Sequence, residues 1–380
     1  MIHEQKGYIL FITFSILAFC TALVSAFLVK GITHKKLMTA LAQQERLEQF
    51  TISTTAMAQS FLAFSADEVS KLEQENPSAP ASQQQPTGGS VQPSEKGSEK
   101  SFEKVLLEKV LPVVNKPQKF NLEEVIQDYP IIIELIFFAE SGKINLNGLF
   151  DLTQKKFYDE GVPGKDQKVF ATWLFEKIAK ITGKPSLLQP FIEHVKQRKI
   201  PFNDVTELLG IKEFADCFAQ AVFYEKKKQT QETDRKVAKL YLTDIFTVSS
   251  EHDTIQPWLL SPSLCALLDI TEKESKQDQA EKKEDQKIDL SSFKLQADWA
   301  TDWDAGLKQV YGISYDKIPE VVAGMFSKKF LATVFSVLAC VSNKVQDSEN
   351  NDAVKIFAIL KQIKLPDNSI AYDVIKIYQV

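Results

Sequence analysis

Residues Tyr8 to Val29 read YILFITFSILAFCTALVSAFLV, 22 residues without a charge, a proline or a glycine. At about 1.5 Å of rise per residue, such a stretch spans the roughly 30 Å hydrocarbon core of a bilayer as one helix. A helix closes its own backbone hydrogen bonds, which lipid cannot do for it. Lys6 stands before the run, and Lys30, Lys35 and Lys36 follow it. The sequence predicts a protein held in a membrane by one N-terminal span.

An uncleaved signal anchor is the ordinary form of such a segment. The run exceeds the roughly 7–15 apolar residues of a cleavable signal peptide, although Ala22, Ser25 and Ala26 supply small residues of the kind found at cleavage sites. A third form fits the flanks: Met1 to Lys6 make a short polar leader that ends in Gly7, and the apolar run begins at Tyr8.

Beyond the span, Ile32 to Asn76 holds no proline and no glycine. Phe50, Met57, Phe61 and Phe64 recur at spacings that share one helical face. The pattern predicts that the helix continues as an amphipathic stalk until Pro77, packed on its own domain or on neighbouring subunits. Pro77 to Ser101, with four prolines, three glycines and almost nothing apolar, reads as a flexible linker. Thr271 to Lys287 carries six acidic and five basic side chains and no large aliphatic, so it reads as solvated or disordered.

Between these segments, Pro130 to Ala139 (PIIIELIFFA) is rich in β-branched and aromatic residues and predicts a buried strand. Val169, Phe170, Trp173, Leu174, Ile178 and Ile181 then mark a helix stopped by Gly183 and Pro185. Further helices are expected near 187–197, 205–209, 213–224, 236–246 and 261–268, with Asn203 capping the second of these. The period changes again at the C-terminus. A helix near 303–311 and another near 318–326 precede three strands, 330–341, 352–363 and 370–378, the last two joined by the turn Leu365 to Ser369. Val354, Ile356, Ala358 and Leu360 share one strand face.

Composition sets bounds on function. A length of 380 residues suggests two or three domains, and a net charge of −5 with both signs mixed gives no nucleic-acid footprint. Cys20, Cys217, Cys265 and Cys340 have no CxxC spacing and leave an odd number outside the span, so no disulfide framework is indicated, although Cys217 with Cys265 could pair in an oxidising compartment. The four histidines are scattered, and no nucleophile elbow or phosphate loop is present. Asp302 and Asp304 read as a capped helix start rather than half a calcium loop. No catalytic residue, metal ligand or cofactor is expected.

Three segments carry structural motifs instead. Glu140 to Asn147 (ESGKINLN) places two asparagine amides where they can tie a glycine turn to neighbouring backbone. Ile200 to Leu209 contains Pro201-Phe202, and Tyr241-Leu242-Thr243 precedes Ile255 to Leu268, where Ser261-Pro262 starts a helix. In this order, with a strand before and a meander after, they resemble the minor pseudopilin K family of type II secretion. Gly142, Lys143, Ile144, Asn145, Leu146 and Asn147 match that family's signature, and Pro201 with Phe202, then Tyr241, Leu242 and Thr243, match its next segments. Gln256-Pro257 and Leu260-Ser261 depart from it, and metal binding is not carried over.

The resemblance implies an α+β fold: a long N-terminal transmembrane helix and a pilin-like domain with a C-terminal antiparallel sheet, interrupted by a large, mostly α-helical insertion. It implies a prepilin-type leader, residues 1–7, cut by prepilin peptidase between Gly7 and Tyr8. Ile12 then stands where most pilins carry a filament-contact glutamate, as the K subunit's lack of it predicts. The remaining divisions are helix and stalk 8–76, linker 77–101, first sheet part 102–144, insertion 145–270, polar segment 271–288 and second sheet part 289–380. The implied partners are the other minor pseudopilins, the major pseudopilin, prepilin peptidase and the inner membrane, with the domains in the periplasm and no nucleic acid. The competing expectation is a single-pass membrane-tethered adaptor with a helical binding domain. Lys30, Lys35, Lys36 and Arg46 favour it, because the positive-inside rule would place the domain in the cytoplasm.

Overall fold

The computed structural model describes residues 3–64, 102–126, 129–225, 239–270, 299–327, 329–330, 332–343 and 353–380. The first element, α1 (His3–Leu62), is a single helix of 60 residues, about 90 Å long. Its Phe14–Lys35 stretch has a mean hydropathy of 2.0 and packs against nothing in the chain, so α1 is long and apolar enough to cross a membrane. The lower end is different. Ala58 and Leu62 are buried, and Phe50, Met57 and Phe61 pack on the core. Thr54 and Thr55 enter that interface because their hydroxyls bond back to the carbonyls of Thr51 and Ile52, at 2.5 and 2.6 Å. The last turns of the expected stalk pack on the chain's own domain.

The helix was expected to reach Pro77, but it ends at Leu62. Phe64 instead exchanges both backbone hydrogen bonds with Ile370, at 2.8 and 3.0 Å. Lys109 donates to the Ala63 carbonyl at 2.8 Å and lies over the Phe64 ring. Tertiary pairing overrides the helix propensity here. The expected linker 77–101 and polar segment 271–288 lie outside the described residues.

After α2 (Phe102–Val110) come β1 (Pro117–Ile126) and β2 (Tyr129–Ala139), then the two-residue strands β3 (Ile144–Asn145), β4 (Phe150–Asp151) and β5 (Lys156–Phe157). Helices α3 (Gln167–Thr182), α4 (Leu188–Gln197) and α5 (Lys212–Phe218) follow, with a 3-10 turn at Val205–Gly210. Next are α6 (Leu242–Ile245), β6 (Phe246–Thr247), α7 (Pro262–Leu267), α8 (Trp299–Tyr311) and α9 (Glu320–Ala323), and finally β7 (Val334–Asn343), β8 (Ala353–Lys364) and β9 (Ile370–Gln379). The main sheet is antiparallel with the order β1-β2-β7-β8-β9.

β2 pairs directly with β7, Ala139 opposite Phe335, so residues 140–333 form one interruption between two adjacent strands. The fold is α+β. The interruption is longer than the expected 145–270. Residues of 299–327 belong with it: Ile255 exchanges backbone bonds with Met325 and Ser327, and the Tyr311 hydroxyl accepts from the Leu260 amide. One sheet face, with Ile356 and Leu360, joins the main core with α1, as the period-two pattern predicted. The other face carries a smaller cluster of Phe138, Leu338 and Phe357 under Phe223 and Tyr224.

Local chemistry fixes the remaining ends. Asp166 caps α3 through the Lys168 and Val169 amides, and Gly183 stops it at φ 67°. The 3-10 turn at 205 is capped by Asp204, not Asn203, in a capping box with Glu207. The helices expected at 213–224 and 236–246 shorten to α5 and α6. The Ala221 and Val222 carbonyls accept from the Leu242 and Thr243 amides, the first N–H groups of α6. Asp304 lies inside α8 rather than at its start, paired with Lys308 and accepting from the Tyr315 amide at 2.9 Å. In the last hairpin, Asn368 takes the left-handed conformation at φ 66°.

Candidate functional site

The motif segments meet where the interruption leaves the sheet. β2 ends at Ala139 and the chain turns through Glu140–Gly142. The Ser141 carbonyl accepts from the Gln256 amide at 2.7 Å, and the Gly142 carbonyl from the Ser261 amide at 3.3 Å. This stitching brings the two backbones so close that a Cβ on Gly142 would lie 1.7 Å from the Leu259 carbonyl oxygen. Only glycine fits there.

Ile144 and Asn145 pair in parallel with Phe246 and Thr247. The Asn145 amide donates to the Ser250 and His252 carbonyls and to Asp253, while its oxygen accepts from the Asn147 amide at 3.1 Å. Asn147 grips Phe202 as a strand neighbour would, donating to its carbonyl at 3.0 Å and accepting from its N–H at 2.8 Å. Pro201 leads into that contact. Leu242 is buried, Tyr241 donates its N–H to Ser263 Oγ at 3.1 Å, and the Thr243 hydroxyl donates to the Val222 carbonyl. The signature residues of all three segments therefore converge on one junction. Leu146 fills its core.

Buried charges lie beneath this junction. Glu140 and Lys143 are fully buried as an ion pair. The Ser336 hydroxyl from β7 donates to Glu140 at 2.5 Å and accepts from Lys143 Nζ at 3.0 Å, and the Thr247 hydroxyl donates to the second carboxylate oxygen. The Phe138 and Phe357 rings flank the ammonium at 5.6 and 5.5 Å. Each charge is compensated, as burial requires. Asp244 is buried beside them, with Oδ2 accepting from the Ser263 amide at 2.7 Å and Oδ1 without a partner. Burial raises its carboxyl above the ordinary value, against the opposing charge of Lys143. Nothing in the spacing of Glu140 and Asp244 marks them as buried.

This arrangement ties sheet to insertion. The adjoining cleft, lined by Asn147, Phe150, Tyr158, Lys199 and Phe202, has a volume of about 200 Å³. Small-molecule sites run from about 300 Å³ upward. Among the described residues no three His, Cys, Asp or Glu side chains gather as a metal site, and Cys217 and Cys265 are free thiols rather than a pair. Gly7, Tyr8 and Ile12 fall in the first turns of α1, at the far end from the junction; their side chains lie outside the described ones.

No family model matches the chain, and no curated protein matches it in sequence. Among solved structures it is similar to a chain in the crystal structure of the GspK-GspI-GspJ complex from the type 2 secretion system of enterotoxigenic Escherichia coli. The match covers 70% of this chain and 83% of that one, at 12% identity and a TM-score of 0.32.

Proposed function

We propose that this chain is a K-type minor pseudopilin. It is a non-enzymatic subunit at the tip of a type II secretion pseudopilus that helps to initiate assembly and the export of folded proteins across the outer membrane. The observation that supports this most is the course of α1. Its apolar stretch Phe14–Lys35 is bare, and its last turns lie on an antiparallel sheet interrupted by one bulky insertion. That is what a subunit needs if its helix must leave the bilayer and its head must end a filament. Prepilin peptidase cuts after Gly7, Tyr8 becomes the mature N-terminus, and the domains lie in the periplasm beside the other minor pseudopilins and the major pseudopilin. Ile12 removes the carboxylate used to dock on a preceding subunit. The test is export in a host lacking this chain. The native gene restores it, whereas Ile12→Glu and a bulky residue at Gly7 do not; restoration by both variants contradicts the proposal.

The adaptor reading keeps one specific support, the lysines at 30, 35 and 36. It requires the domain to be protected from protease added outside the inner membrane.

A further inference from the structure

We infer that the outer edge of β9, from Ile375 to Val380, is a docking site for an extended strand of a second, different pilin-class subunit. This rests on the pseudopilin reading and names one of its contacts.

β9 pairs with β8 on one side only. Its outer side is closed from within the chain at successive alternate positions. Ile370 is paired by Phe64, the Tyr372 carbonyl accepts from Gln59 Nε2 at 2.7 Å, and the Val374 N–H donates to the Asp373 carboxylate at 2.9 Å. The register then slips: Leu360 faces Val374 and Ile359 faces Lys376, leaving Ile375 as the extra residue of a bulge. Beyond that point no hydrogen bond from a described residue meets the outer backbone. Edges of this kind are normally guarded by a charge. Here the candidate guard, Lys376, is turned inward onto Asp204 and the Asn203 carbonyl.

Three apolar side chains of the same stretch are bare: Ile375 and Ile377 are 48% exposed and Val380 41%. Phe64 meets Ile370 and Gln59 meets Tyr372, so α1 runs antiparallel to β9. From Gln59 back to Ile52 the helix rises about 10 Å, which equals about three strand residues. That brings Ile52, itself 60% exposed, level with the open edge. Unpaired backbone and exposed isoleucine thus form one surface, and the open length suits the usual strand of about five or six residues.

A second copy does not fit through its own β9. Two β9 edges joined antiparallel by a two-fold axis would point their α1 helices in opposite directions, and both helices must enter one membrane the same way. The occupant is therefore another subunit's strand with apolar residues facing Ile375 and Ile377.

The test is a photo-crosslinking residue at Ile375, Ile377 or Val380 of the full-length chain in native membranes, with exposed Ile363 as the control. Expected adducts from the edge positions contain a different pilin-class subunit, identified by mass spectrometry, with none from Ile363. Co-purification of that subunit falls about tenfold with Ile377→Lys, the scale expected for losing one isoleucine contact. No adduct, an adduct only to further copies of this chain, or equal adducts from Ile363 overturn the inference. The mature N-terminus is read on the same samples. A start at Tyr8 without edge adducts rejects the docking site alone, whereas a start at Met1 rejects the pseudopilin reading.

Discussion

Gly142 shows how much a single missing Cβ can carry. Its neighbour is a backbone carbonyl, which cannot rotate away. Gly142→Ala is expected to cost about 3 kcal/mol, the upper end for overpacking, read as a fall in thermal midpoint. Gly183, in open space at φ 67°, should cost only about 1 kcal/mol when changed to Ala. Asp244 supplies a test in pH. Its pKa is raised on folding, so the folded state holds the proton more tightly than the unfolded chain. Its contribution is complete below the unfolded value and is lost as pH rises toward the folded one. Asp244→Asn removes this dependence, so denaturation should show the variant gaining on the native protein as pH rises above the ordinary carboxylate range. An unchanged gap would mean that Asp244 is ionised in the fold. Asn145, Asn147 and Gly142 were legible because amides and glycine have few other uses in such a turn. Glu140, Lys143 and Asp244 were not, because charged residues are normally exposed; Ser336 and Thr247, distant in sequence from Glu140, complete the Glu140–Lys143 pair, and the Ser263 amide meets Asp244.

At the scale of elements, Asp204 fastens the insertion to the sheet edge. Its carboxylate caps the 3-10 turn at 205 and also accepts from Lys376 and from the Tyr378 hydroxyl, the latter at 2.6 Å. Burial pushes this carboxyl up, but the bonds from Lys376, Thr206 and Tyr378 outweigh it and hold it below the ordinary value. Asp204→Ala removes cap and clasp together and should cost about 2 kcal/mol. Faster amide exchange should appear in β9 as well as in residues 205–210; exchange confined to 205–210 would deny the clasp. β2, β7, β8 and β9 were legible from their apolar, β-branched runs. β1 was missed, since PQKFNLEEVI has the composition of an edge strand with little to bury. α1 and α6 were drawn too long because residues far away in sequence, Ile370 for one and Ala221 for the other, claim the backbone at their ends.

For the whole molecule, the decisive fact is long range: β2 and β7 are neighbours in the sheet with residues 140–333 between them. Periodicity finds strands but not their partners, so that adjacency was expected only through the resemblance. It sets the architecture on which the proposed role depends: a helix long and apolar enough to cross a membrane, a sheet packed on its C-terminal turns, and a bulky insertion between two adjacent strands. The most direct test is the mass of the N-terminus of the membrane-extracted protein, with and without prepilin peptidase. A chain starting at Tyr8 only when the peptidase is present is the predicted result. A persistent Met1, with the domain protected from external protease, contradicts it.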